Sequence, residues 1–567
     1  MHPFQQAYTM RFYLLLTIVA LLLFPVSGVQ ARQAPAEAPV RYDLDLLSPA
    51  FHRDRRDAVR DALPANAVAI FFSAPARNRE NDVSFEYRQS SDLYYLTGTH
   101  EPESVLLLAP GGLAVDGKTV HELLMVPPRN PASETWTGRL YGAERAETAL
   151  GVEKAVSNER YEEILTALAA RDDVRFFHLP FPQGVDSRSA LGQQIALFKV
   201  LAHPLEVDGN FMVQWVVRGM LSSQSEEDFA RLKQLMAGRF DPTALAGSPL
   251  EAAAEAYAKA ESLEAWRTWK QAHLDGYPDG VTLRSLLNEL RMVKTDDERA
   301  LLQHAIDITV EAHREAMKSI EPGQYEYEAE ALIEYIFRRN GAEYTAFPSI
   351  VGSGENAVIL HYETNRRQMQ AGDMVVIDIG AEYHGYAADV TRTLPVDGTF
   401  SPEQKTIYEL VLAAQEAGIE ATRAGESFGA PHQAAAAVIT EGLRELGLIQ
   451  SDDQVRTFFM HGTSHYLGLY VHDVGTGGTL VPGTVITVEP GIYINPSPDV
   501  DPKWWNIGVR IEDDVLVTDG DPVVMSTGAP RTVAAIEALM RETGLGNTPA
   551  GVVERAVAPG ASTRGSQ

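Results

Sequence analysis

Two stretches of this chain repeat one pattern, and that repeat constrains the fold more than any other feature. Residues 371–380 (AGDMVVIDIG) and 482–491 (PGTVITVEPG) align glycine on glycine at both ends, and Asp378 falls on Glu489. Each reads as a turn followed by a buried, β-rich strand with one carboxylate near its end. An ionised acid inside an apolar strand is costly unless it finds a cation, a dense donor set or a metal. Two such strands a domain length apart predict two similar halves facing one another across a pseudo-twofold axis, with the acids converging between them.

Each strand acid has a second acid within reach. A turn centred on Tyr383-His384 would place Asp389 directly opposite Asp378, whereas a turn at His384-Gly385 would leave them diagonal neighbours. Either register crowds like charges on one face, and a divalent metal between them answers that repulsion. In residues 508–512 (GVRIE), alternation puts Arg510 and Glu512 on one face, so Glu512 can share a cavity with Glu489. Residues 460–475 (MHGTSHYLGLYVHDVG) add His461, His465 and His472 in a glycine-punctuated run unlike the HExxH helix of zincins. Imidazoles beside strand carboxylates can supply a ligand and proton donors. The chain has no cysteine, so any metal sits on Asp, Glu and His. Oxygen ligands with a single imidazole suit manganese, cobalt, iron or zinc rather than a copper or sulfur-type site. His304 and His313 fall on a helical pattern and read as packing or surface residues.

At 567 residues the chain exceeds one ordinary core, which predicts two domains. Lys and Arg total 48 against 77 Asp and Glu, a formal charge of −29, which argues against nucleic-acid binding. Arg11 precedes an apolar run over residues 12–24, and Val29-Gln30-Ala31 offers a cleavage site. Residues 1–31 are therefore expected to be a signal peptide, making the protein exported, periplasmic or secreted, with no stable membrane insertion once the leader is removed. An uncleaved N-terminal anchor is the alternative. Residues 40–221 alternate β-rich and helical runs, with strands predicted at 67–73, 104–109, 122–126 and 174–179. Residues 222–281 read as a helical insertion or linker. A second unit spans 282–545, opening with the capping box Thr295-x-x-Glu298 on a helix that Pro322-Gly323 must stop. Residues 546–567 read as a flexible tail.

The segments 376–395 (VIDIGAEYHGYAADVTRTLP), 458–475 (FFMHGTSHYLGLYVHDVG), 488–493 (VEPGIY) and 507–517 (IGVRIEDDVLV) strongly resemble the bacterial aminopeptidase P family, the Xaa-Pro aminopeptidases of the pita-bread metallopeptidase group. The likeness extends to 287–294 (LNELRMVK), 351–361 (VGSGENAVILH), 88–98 (RQSSDLYYLTG) and 134–142 (ETWTGRLYG). It covers residues 42–539 apart from 222–279, a helical stretch that looks longer than the family usually has.

The resemblance implies an α/β chain: a creatinase-like N-terminal α/β domain, then a pita-bread catalytic domain with the internal pseudo-twofold repeat. It implies a dinuclear metalloaminopeptidase that releases the first residue of Xaa-Pro-Yaa peptides, using two divalent ions, manganese first and cobalt or zinc as alternatives. Asp389 and Glu512 would bridge the metals, Asp378 would complete one shell, and His465 and Glu489 the other. Glu489, His361, His461, His472 and Arg510 would be its catalytic residues. Tyr94 stands where relatives often have tryptophan, in a segment that can reach a neighbouring subunit's site, and a homo-oligomer is expected. The rival readings are a prolidase-type Xaa-Pro dipeptidase and a metal-free binding protein on the same fold.

Overall fold

The computed structural model describes residues 45–202, 216–217, 219–221, 223, 225–240, 245, 249–274 and 280–547. The expected leader (1–31) and residues 548–567 of the expected tail lie outside the described residues.

The N-terminal part opens with α1 (Pro49–Ala62), capped where Ser48 Oγ accepts from the amide of Phe51 at 3.1 Å. Five strands build the main sheet: β1 (Ala67–Phe72), β2 (Val105–Val115), β3 (Lys118–Val126), β4 (Lys154–Ser157) and β5 (Arg175–His178). They order as β4-β3-β2-β1-β5, with β1 parallel to β5 and β3 parallel to β4. All four predicted strands occur; β4 and the short pair Asn78–Glu80 and Val83–Ser84, with four residues or fewer each, carry too little pattern to register. Every residue of β1 is buried because both sheet faces are covered. Val68, Ile70 and Phe72 pack with the helices Tyr161–Ala169 and Ala190–Leu201. Ala67, Ala69 and Phe71 join a cluster that takes in Leu283, Leu287, Leu302, Leu467 and Leu469. One sheet face is therefore continuous with the apolar core of the later half of the chain.

Helices Glu226–Arg239, Pro249–Lys259 and Leu263–Leu274 close a separate core around Tyr257 and Trp266, and Trp266 Nε1 donates to the Met220 carbonyl at 2.9 Å. Three helices then lead into the second half: α2 (Gly280–Met292), α3 (Asp296–Ser319) and α4 (Glu326–Arg339). The capping box at Thr295 forms, and α3 ends before Pro322-Gly323. His313 Nε2 bonds the Val390 carbonyl at 2.8 Å and His304 packs against Tyr383, so both serve packing as the sequence suggested.

The repeat appears as two hairpins. In the first, β7 (Met374–Ile379) lies between β6 (Ile350–Ser353) and β8 (Val390–Pro395), antiparallel to both. The turn falls at His384-Gly385, with φ of 47° and 83°, the left-handed pair that a two-residue hairpin needs. Asp378 consequently faces Thr391, and Asp389 lies diagonal to it; the direct opposition that a Tyr383-His384 turn would give does not occur. In the second hairpin β9 (Val485–Val488) pairs with β12 (Asp513–Leu516), and β10 (Gly491–Ile494) with β11 (Ile507–Arg510). The same register carried between these ladders sets Glu489 across from Glu512. The halves join where the Glu512 amide donates to the Thr391 carbonyl at 3.1 Å and the Arg510 amide to Thr393 Oγ1 at 3.1 Å.

Candidate metal centre

Strand alternation and the two hairpins bring the acids together. One ligand atom each of Asp389, His465 and Glu512 lies within 4.8 Å of the others. His465 Nε2 is 3.3 Å from Asp389 Oδ2 and 3.7 Å from Glu489 Oε1. Asp378 turns its Oδ2 to Arg510 Nη2 at 2.6 Å. Glu512 accepts from Thr391 Oγ1 at 2.6 Å, the residue two along from Asp389 on the same strand face. Asp378, Asp389 and Glu512 are buried.

Burial and mutual repulsion dominate the electrostatics of these acids. Burial first, then repulsion from Asp378, Asp514 and Glu489, pushes Asp389 far above the carboxylate range. Burial and repulsion from Asp389 and Glu489 do the same to Glu512. Burial also raises Glu489 to about 7, against the lowering influence of His465 and Arg510. Asp378 Oδ1 and Asp389 Oδ1 are buried and accept no hydrogen bond from the described residues. Orphaned acceptor oxygens beside an imidazole in a crowded anionic pocket are what a hard divalent cation requires, so the residues present fit such an ion.

The remaining histidines sit around this cluster. His472 packs edge-on to His465 at 4.3 Å between ring centroids; partial desolvation, His465 and His361 together lower its pKa. His361 is exposed at the end of the turn that follows β6. His461 bonds Tyr493 OH through Nε2 at 2.8 Å and the Gly462 carbonyl through Nδ1 at 2.7 Å, and burial with Arg510 nearby lowers it to about 4. Arg510 is clamped by Asp378, Tyr493 OH at 3.0 Å, Thr391 Oγ1 at 3.3 Å and the Leu360 carbonyl at 3.3 Å. Tyr94 is buried within this chain, its ring 4.9 Å from that of His100.

Three supporting residues escaped the sequence reading. Thr391 had a signal, since alternation from Asp389 puts it on the acid face. Tyr493 lies in the VEPGIY segment, but nothing there announces its partners. Glu326 reads as an ordinary acid at a helix start, yet its carboxylate accepts from the Ser353 amide and hydroxyl, both at 2.8 Å, Asn356 Nδ2 at 3.2 Å, Tyr362 OH at 2.9 Å and the Arg367 amide at 2.8 Å. These bonds fix the segment that carries His361.

Comparison with known proteins places this architecture. The model of metallopeptidase family M24 matches residues 300–519, and that of the aminopeptidase P N-terminal domain matches residues 52–177. The fold is thus that of an M24 metallopeptidase behind an aminopeptidase P N-terminal domain. The Xaa-Pro aminopeptidase of Escherichia coli (strain K12) is 33% identical over 498 residues, covering 86% of this chain and 96% of its own length. The solved structure of Pseudomonas aeruginosa aminopeptidase PepP aligns with a TM-score of 0.67 and 34% identity, over 88% of this chain and 99% of that one. The human Xaa-Pro dipeptidase is 36% identical over 322 residues, which is 48% of this chain and 65% of its own. The chain belongs to the Xaa-Pro aminopeptidase family.

Proposed function

We infer that the protein is a metal-dependent aminopeptidase that releases the first residue of peptides with proline in the second position. The observation that carries this is the meeting of Asp389, His465 and Glu512 within 4.8 Å, in a chain whose likeness to Xaa-Pro aminopeptidases runs through both halves. The prolidase reading is weaker because the dipeptidase likeness covers only 48% of the chain.

Asp378, Asp389, His465, Glu489 and Glu512 would hold two divalent ions, with manganese our first choice ahead of cobalt and zinc. When bound, such ions offset the repulsion among the acids and lower the pKa of a bound water. Glu489 is partly exposed and its Oε1 lies 3.7 Å from His465 Nε2, so it can take a proton from the attacking water and return it to the leaving nitrogen. His361 and His472, exposed on the rim, can donate hydrogen bonds to the scissile carbonyl oxygen as charge develops there. Arg510 holds Asp378 in place. The acidic pocket attracts the substrate's α-ammonium group, which restricts cleavage to the first residue. The apolar run at residues 12–24 supports export of the enzyme.

The test is to incubate the purified protein with Mn2+ and an Xaa-Pro-Yaa peptide and to quantify free Xaa. Release is expected with metal and is abolished by chelation or by Asp389→Ala. No release with any of the three metals would sink the reading.

A further inference from the structure

We propose that Arg291 is a positioning residue for the histidine loop, holding His465 and His472 at a fixed spacing by tying the loop to the N-terminal half of the chain through Asp92 and Asp473. Residues 466–473 form a loop that leaves and returns through one bridge, in which the Asp473 amide donates to the Tyr466 carbonyl at 2.8 Å. His465 and His472 are the residues immediately before the two bridge partners. Closure of the loop therefore sets the 4.3 Å between their rings.

Arg291, at the end of α2, is 1% exposed. Its Nη1 donates to Asp92 Oδ1 at 2.6 Å, its Nη2 donates to Asp473 Oδ1, and its guanidinium carbon lies 5.1 Å from the centroid of the Tyr470 ring. Asp92 is also held by Arg284 at 3.0 Å. From the same N-terminal segment, Arg88 Nη2 and Ser91 Oγ donate to the Leu469 carbonyl at 2.8 and 2.9 Å. On the loop's inner side Asp473 packs so close to Gly468 that a Cβ there would sit 2.2 Å from its Oδ2, and Lys294 Nζ is 3.5 Å from that oxygen. The loop base is thus gripped by residues 88–92 and by Arg291, none of which belongs to the carboxylate cluster.

A planar guanidinium can serve two carboxylates at once; a lysine ammonium in its place cannot reproduce that fork. Buried ion networks add little net stability over apolar packing of equal volume. A fixed loop position is a better account of this one.

The inference rests on the peptidase reading of His465 and His472, and the experiment separates the two. Arg291→Lys, with Asp92→Asn as a second variant, is measured in the wild-type and His472→Ala backgrounds by steady-state hydrolysis of an Xaa-Pro-Yaa peptide, by thermal unfolding and by calorimetric titration with Mn2+. In the wild-type background kcat is expected to fall about tenfold or more with KM changed less than about twofold, and Mn2+ affinity to fall about tenfold. With Mn2+ saturating, so that the weaker metal binding through His465 no longer limits kcat, the loss in kcat should shrink below about twofold in the His472→Ala background. Asp92→Asn should act in the same direction more weakly. Equal losses of kcat in both backgrounds at saturating Mn2+, or a lowered Tm with kcat and Mn2+ affinity unchanged, would overturn the role of Arg291. A wild-type protein that cleaves no Xaa-Pro peptide would instead remove the functional reading, and unchanged Mn2+ affinity in Arg291→Lys would still decide against the positioning role.

Discussion

Arg510, on a strand of the second repeat, places its Nη2 2.6 Å from Asp378 Oδ2 on the central strand of the first. Both side chains are largely buried, at 5% and 12% exposure. Breaking a buried pair by removing one partner leaves an uncompensated charge and costs about 3 kcal/mol. Arg510→Ala is expected to lose about that much stability in urea unfolding with chelator present, and less with saturating Mn2+, because a cation at the cluster supplies part of the missing charge. Arg510→Lys should keep most of the stability but lower kcat/KM at least tenfold, since the fork to Asp378 and Tyr493 is lost.

Metal and protons compete for the same acids. Glu489 is raised from its ordinary 4.5 to about 7, chiefly by burial, so the metal-free protein loses this contribution to stability as pH rises from about 4.5 through about 7. Ions need the ionised carboxylates, and binding therefore displaces protons most at low pH. Differential scanning calorimetry should show a small Mn2+-induced rise in Tm near pH 5 that grows toward pH 8. A rise of equal size across that range would contradict the arrangement of acids described here.

Thr391 orients Glu512 through a 2.6 Å hydrogen bond and faces Asp378 across the hairpin. Thr391→Val keeps the shape and deletes the donor. A hydrogen bond to a charged group contributes about 1.5–3 kcal/mol, and loss of such an outer partner weakens metal binding about 10–100-fold. Titration calorimetry with Mn2+ measures this, and an unchanged affinity would show that Glu512 is held by other means.

Two buried histidines make the fold sensitive to acid. His52 and His313 are each lowered to about 4, primarily by burial. The unfolded chain takes up protons near pH 6.5 that the folded chain refuses, so stability falls as pH drops from about 6.5 to about 4, by up to about 3 kcal/mol per group. His313→Gln is expected to be less stable at neutral pH yet to lose less on acidification. Urea midpoints at the two ends of that range give the slope for each protein.

Alternation is local, and for that reason the shared faces of Asp378 with Asp389 and of Arg510 with Glu512 could be read from the chain alone. Register is set by the turn. His384 and Gly385 decided it through their left-handed backbone, with His384 held by its ring Nδ1 at 2.7 Å from Glu343 Oε1, and the glycine at the second turn position was the available signal. The Asp92–Arg291–Asp473 network was not legible, because its partners are 199 and 182 residues apart and no spacing rule reaches that far. Glu326 was invisible for a related reason: its donors lie 27 to 41 residues downstream, in a segment whose path depends on tertiary packing.

On the proposed reading, one cluster of carboxylates and an imidazole removes a single residue from peptides with proline second. Parallel hydrolysis of matched Xaa-Pro-Yaa, Xaa-Pro and Xaa-Ala-Yaa peptides with Mn2+, followed by quantification of free Xaa, tests it most directly. Cleavage of the proline tripeptide, with the dipeptide and the alanine peptide left largely intact, is the predicted result. Cleavage of the dipeptide alone would contradict it and make the chain a prolidase.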